Sequence, residues 1–111
     1  MKNLLFVILF LPTLSHAGNI YCKGKIKNVY VEENGNVNIM GAWREHWTRL
    51  CNTNDDTIVC SLWASYAANA VKDNLNVTIM YNANNGVTCN TLPTYADSPP
   101  PRYFMVHNPA I

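Results

Sequence analysis

The stretch Ser61-Leu62-Trp63-Ala64-Ser65-Tyr66-Ala67-Ala68-Asn69-Ala70-Val71-Lys72 is the one clear helix in the sequence, and its position decides the fold. Leu62, Trp63, Tyr66, Ala67, Ala70 and Val71 recur at intervals of three and four, the spacing of one helical face. Ser61 is a residue type that caps a helix start, and Asn74, which tolerates a left-handed backbone, is a stop just beyond Lys72 and Asp73. The segments on both sides read as β-structure.

Upstream, Lys25 to Glu33 is rich in Ile, Val and Tyr, and after Asn34-Gly35 the residues Val37 and Ile39 alternate with Asn36 and Asn38. Asn-Gly accepts the positive φ angles of a tight hairpin turn, so these two runs predict a β-hairpin. The next segment has two readings, because Trp43, Trp47 and Leu50 fit helical spacing whereas Trp47, Arg49 and Cys51 fit a strand. A strand ending at Cys51, approached irregularly through Gly41-Ala42, is the favoured one. Downstream, Val77-Thr78-Ile79-Met80-Tyr81 alternates as a strand and Asn84-Asn85-Gly86 turns the chain. Pro99-Pro100-Pro101 then makes a stiff lead-in to a last strand over Arg102 to His107.

The order is strand, strand, strand, helix, strand, strand. A mostly β (α+β) domain of this order predicts a small, partly open OB-like barrel of five antiparallel strands, with the helix covering one end.

A chain of 111 residues with 8 Lys plus Arg against 7 Asp plus Glu has room for one small domain and carries almost no net charge. Met1 to Ala17 reads as a secretory signal. Lys2 supplies the positive start, Leu4 to Leu11 is an apolar run too short to span a bilayer, Pro12 ends it, and Ser15-His16-Ala17 is a cleavage site before Gly18. Cleavage leaves residues 18–111 as a single domain with seven bases against seven acids. Such a balance argues against nucleic acid as a partner, and the lack of a second long apolar run argues against membrane insertion. The expected location is outside the cytoplasm, periplasmic or secreted.

All four cysteines, Cys22, Cys51, Cys60 and Cys89, follow the cleavage site, and an even number in a small exported chain predicts two disulfides. Three connectivities are possible. Cys51 and Cys60 flank the turn-rich Asn52-Thr53-Asn54-Asp55-Asp56, so a local bridge across a hairpin is geometrically easy, and Cys22 then pairs with Cys89. On a loop-entropy account the short bridge contributes about 2.7 kcal/mol and the long one about 4.4.

Catalysis has little support. His46 and His107 sit in no motif with an activated Ser or Cys, and oxidised cysteines are not nucleophiles. Glu32 and Glu33 are adjacent, so in a strand they point to opposite faces. Asp55-Asp56 lacks the spacing of a calcium loop, and no Cys-x-x-Cys or close Cys/His pair suggests zinc. The expectation is no enzyme, no metal and no cofactor. Binding is better supported, by Trp43-Arg44-Glu45-His46-Trp47-Thr48-Arg49: aromatic faces stack on sugar C–H surfaces while Arg, Glu and His offer directed hydrogen bonds. The candidate ligand-binding residues are Trp43, Arg44, His46, Trp47 and Arg49, and the expected partner is a neutral glycan or a protein surface. The bland alternative is that the tryptophans fill a small core, the role expected of Trp63. The 16 asparagines give an uncharged polar surface, although turns account for many of them.

Over nearly the whole mature chain the sequence resembles a group of small exported four-cysteine proteins of Gram-negative bacteria. The shared features are Cys22-Lys23-Gly24-Lys25-Ile26, the hairpin at Asn34-Gly35, Trp47 with Cys51, and Cys60 three residues before Trp63. They continue through Ala67, Ala70, Val77 to Tyr81, Cys89-Asn90-Thr91-Leu92-Pro93-Thr94-Tyr95 and Pro101-Arg102-Tyr103. That resemblance implies a fold and an export route. A more distant likeness is to OB-fold B subunits of bacterial AB toxins of the subtilase cytotoxin type, which have a short Cys-to-Cys hairpin ahead of an aromatic-containing helix. It implies glycan binding and a homo-oligomer, and it transfers no binding residue. The two functional expectations are thus an exported non-enzymatic binding module and a periplasmic structural or inhibitor protein acting through protein contact.

Overall fold

The computed structural model describes residues 18–83 and 86–109. The chain order is β1 (Gly18–Val31), β2 (Asn36–Gly41), β3 (Thr48–Asn52), α1 (Thr57–Asp73), β4 (Asn76–Ala83), a 3-10 turn (Cys89–Thr91) and β5 (Pro101–Val106). The five strands form one antiparallel sheet in the order β3-β2-β1-β4-β5, curled into a half-barrel with the expected βββαββ connectivity. The expected signal segment, Met1 to Ala17, and Asn84-Asn85 of the expected turn lie outside the described residues.

β1 is the spine of the sheet. Its first half, from Gly18 to Lys25, pairs with β4, and its second half, from Ile26 to Val31, pairs with β2. A register shift between Ile26 and Asn28 marks the change of partner, and a bulge there bends the strand and deepens the curl. This strand starts seven residues before the expected Lys25, because Gly18–Gly24 offers little alternation of its own and is held by β4. The turn that follows spans three residues, not two. Gly35 donates to the Glu32 carbonyl (2.9 Å) and Glu32 to that of Asn36 (2.8 Å), with Gly35 at φ 97°. A Cβ on Gly35 would meet Thr53 Oγ1 at 2.5 Å, so both backbone conformation and space require glycine.

The helix begins four residues earlier than expected. Asp56, not Ser61, is the N-cap, its carboxylate accepting from the Val59 amide at 2.9 Å. The β-branched Ile58 and Val59 read as extended in sequence, yet the carboxylate cap and the packing of Cys60 outweigh their weak preference. Asn74 closes the helix as expected, at φ 56°, its amide bonded to the carbonyls of Ala70 and Val71. The buried face is Cys60, Ala67 and Ala70, with Trp63, Ala64 and Val71 half-buried beside them. Leu62 and Tyr66, expected on that stripe, point outward instead, 49% and 46% exposed, in line with Ile58 at 73%.

Cys22–Cys89 and Cys51–Cys60 are the two disulfides, with Cα–Cα distances of 5.5 and 5.6 Å, inside the ordinary span. The short bridge ties the end of β3 to the first turn of α1 and does not cross a hairpin. The core is built by Cys22 and Ile26 of β1, Val37 and Ile39 of β2, Leu50 of β3, Val77, Ile79 and Tyr81 of β4, Phe104 of β5 and the buried helix face. The last strand runs from Pro101, and His107 lies just beyond it.

The free edge of β3 is covered by the segment ahead of β5. Tyr95 donates its amide to the Trp47 carbonyl (3.1 Å) and forms a parallel bridge with Thr48, and the Arg49 amide donates to Ser98 Oγ (2.9 Å). Edge strands need such cover, and here the cover brings residues 90–98 against the Trp43–Arg49 region.

Candidate functional site

β3 starts at Thr48, so Trp43 to Trp47 form a loop leading into the strand and not the first half of it. The loop sends its two tryptophans to different places. Trp43 lies over Gly24 and Gly41 and packs against the core, with its indole N–H enclosed and, among the described residues, without a hydrogen-bond partner. Trp47 sits on the outer surface of the sheet, its ring edge-on to Tyr30 with centroids 4.7 Å apart.

Beside that pair stands a second one, His46 and Tyr95, at 5.5 Å and an interplanar angle of 90°. Edge-to-face contacts of this kind are favourable because the positive rim of one ring meets the negative face of the other. The Trp47 amide donates to His46 Nδ1 (2.9 Å), which fixes the imidazole orientation. Tyr95 adopts φ 51° although it is not glycine, and its side chain is 44% exposed. A bulky residue held in the left-handed region costs about 1–3 kcal/mol and persists only where its surroundings over-determine it.

The surroundings do so here. Leu92 is fully buried and Cys89 is bridged to Cys22. Arg44 donates to the carbonyls of Leu92 (3.1 Å) and Asn90 (3.2 Å). Arg49 donates to the carbonyl of Ala96 (3.2 Å) and to Asn36 Oδ1 (3.4 Å), and Ser98 Oγ donates to the Pro93 carbonyl (2.9 Å). Both arginines therefore clamp the 90–98 segment onto the sheet, as positioning groups. Glu32 accepts from Asn36 Nδ2 (3.2 Å) and Asn38 Nδ2 (3.3 Å) on the same face. Partial desolvation, then the Glu32 carboxylate and Tyr95, hold the Tyr30 phenol above its ordinary pKa, with Asn38 offsetting part of the rise. The Tyr30 hydroxyl is neutral at physiological pH and can donate as well as accept.

Of the five residues expected to bind, the structure gathers His46, Trp47 and Arg49 on one face, holds Arg44 as a clamp at its side, and directs Trp43 to the core. Two residues that sequence reasoning missed complete the face, Tyr30 and Tyr95. Tyr30 carried a usable signal, since Val29 and Val31 alternate around it and place it on the opposite side of the strand. Tyr95 carried none locally. Among the described residues, no group of three or more His, Cys, Asp and Glu side chains is placed to hold a metal ion, and no helix is long and apolar enough to cross a membrane.

Compared with known protein families, with curated proteins and with solved structures, the chain matches none of them.

Proposed function

We propose that the chain is an exported, non-enzymatic binding module and that the face made by Tyr30, His46, Trp47, Arg49 and Tyr95 takes its ligand, a neutral glycan or a protein surface. The carrying observation is Tyr95, a large ring held in a strained backbone conformation and left 44% exposed, in edge contact with His46 and on the same face as the Tyr30–Trp47 pair. Fixed aromatic rings lose little entropy on binding, which is the physical advantage of an ordered platform. Two disulfides in a chain of this size fit folding in an oxidising compartment, the periplasm or the exterior. The Asn-rich, nearly uncharged composition suits a neutral, hydrogen-bonding partner.

The test is a neutral-glycan array probed with the mature chain, wild type against Trp47→Ala and Tyr95→Ala. Binding that weakens at least about tenfold in both variants while melting is preserved supports the reading. Absence of binding to every neutral glycan, or binding unchanged in both variants, overturns the glycan assignment. A second reading, action through protein contact, is favoured by one observation, the exposed apolar stripe Ile58, Leu62 and Tyr66 on α1. Where the partner is a second copy, sedimentation velocity reads an oligomer that Leu62→Glu converts to monomer.

A further inference from the structure

Away from the aromatic face, β1, β4 and the residues after β5 border an open cleft of about 410 Å³ lined by Lys23, Gly24, Asn76, Val77, Thr78 and His107. Lys23 and Thr78 are direct partners across β1 and β4, so their side chains rise from the same face of the sheet. His107 is placed by its own amide, which donates to the Asn76 carbonyl at 2.9 Å. Its Nε2 then lies 2.6 Å from Thr78 Oγ1, and Thr78 is only 4% exposed.

The chemistry of this group is one-sided. Among the described residues, no acidic side chain lines the cleft. The neighbouring lysines are engaged, Lys27 with Glu45 at 2.6 Å and Lys25 with the Asn74 carbonyl at 2.8 Å, whereas Lys23 makes no ion pair among the described residues. The threonine and histidine share one proton in their mutual hydrogen bond and retain a second. In one tautomer the hydroxyl keeps a free O–H, in the other the ring keeps its Nδ1–H, and a protonated ring leaves both. In every protonation state the pair therefore retains a donor, in a cleft it shares with a lysine that makes no ion pair among the described residues.

We propose that this cleft binds the oxyanion of a ligand, a carboxylate or a phosphate group, through Lys23 and the Thr78–His107 pair. Charge-assisted hydrogen bonds to an oxyanion are about twice as strong as neutral ones, and among the described residues this donor set has no competing acid. The site is separate from the aromatic face and does not depend on what that face binds.

The experiment titrates inorganic phosphate and, in a separate arm, acetate into the mature chain while the imidazole resonances of His107 and His46 are followed by NMR. The expected result is a saturable shift of His107 with His46 unmoved, weakened at least about tenfold in Lys23→Gln and within about twofold of wild type in Lys25→Gln. Saturation by phosphate alone assigns the site to phosphate groups, and saturation by acetate as well assigns it to carboxylates. Lys23 is exposed, so its replacement leaves the fold intact. A shift that does not saturate, that appears equally at His46, or that is lost equally in both lysine variants overturns the proposal.

Discussion

The Tyr95 amide donates to the Trp47 carbonyl at 3.1 Å, a backbone contact that joins the closing segment of the half-barrel to the aromatic loop between the clamps of Arg44 and Arg49. The same contact fixes the separation of the two aromatic pairs, because Trp47 carries Tyr30 and Tyr95 carries His46. Closure of the sheet and construction of the aromatic face are one structural event. Loosening the 90–98 segment would therefore disperse the face even where every side chain is retained.

Tyr95 separates backbone strain from side-chain function. Tyr95→Gly keeps the left-handed backbone and removes the side chain that it disfavours, whereas Tyr95→Val places a β-branched side chain there. Equilibrium urea unfolding is expected to place the glycine variant within about 1 kcal/mol of wild type and the valine variant about 1–2 kcal/mol below it. Valine as stable as glycine at this position would remove strain from the account.

Gly41 tests the position of Trp43. A Cβ built on Gly41 would overlap the Trp43 ring. Gly41→Ala must therefore displace the indole from the core, at a cost of about 1–3 kcal/mol, with a red shift of tryptophan emission. Unchanged emission and unchanged stability would mean that the ring does not rest on this glycine.

Asp56 and Ser61 divide the observed helix start from the one read in sequence. Asp56→Ala deletes the acceptor of the Val59 amide and is expected to cost about 1 kcal/mol, whereas Ser61→Ala, an exposed change inside the helix, stays within about 0.5 kcal/mol of wild type. Circular dichroism during thermal melting reads both. A larger loss at Ser61 would reverse the assignment.

These two residues also show what local sequence can and cannot convey. The helix existed in the pattern because Trp63, Ala67 and Ala70 repeat with its period, but the angular setting of its face depends on what it packs against. Cys60, drawn inward by its bridge to Cys51, rotates the buried stripe so that Leu62 and Tyr66 face out. The hairpin and the strand Val77 to Tyr81 were legible because alternation is a local signal, and the cysteine pairing because one short loop makes one bridge easy. His46, Trp47 and Arg49 were legible as a cluster of chemistry. Tyr95 was not, since its place beside them comes from a parallel contact between distant segments, which no window of sequence contains. Trp43 and Trp47 have the same composition signal and separate only through the two glycines beneath Trp43.

Tyr81 links the core to alkaline stability. Its side chain is fully buried, its neighbour Thr48 is 1% exposed, and among the described residues neither hydroxyl has a partner of hydrogen-bond geometry. Burial pushes the Tyr81 phenol well above its ordinary pKa of 10.0, and the nearby Thr48 hydroxyl offsets part of that rise. For an acid whose folded pKa is raised, the unfolded chain loses its proton first as pH increases, so the stability present below pH 10 declines above it. The raised pKa of Tyr30 acts in the same direction at the surface. Tyr81→Phe removes both the unpartnered hydroxyl and the ionisation. It is expected to match or exceed wild-type stability at pH 7, by up to about 1 kcal/mol, and to flatten the decline in melting temperature above pH 10. A Tyr81→Phe protein that melts well below wild type at pH 7 would show that the hydroxyl is satisfied in solution, and an unaltered alkaline decline would assign that decline to other groups.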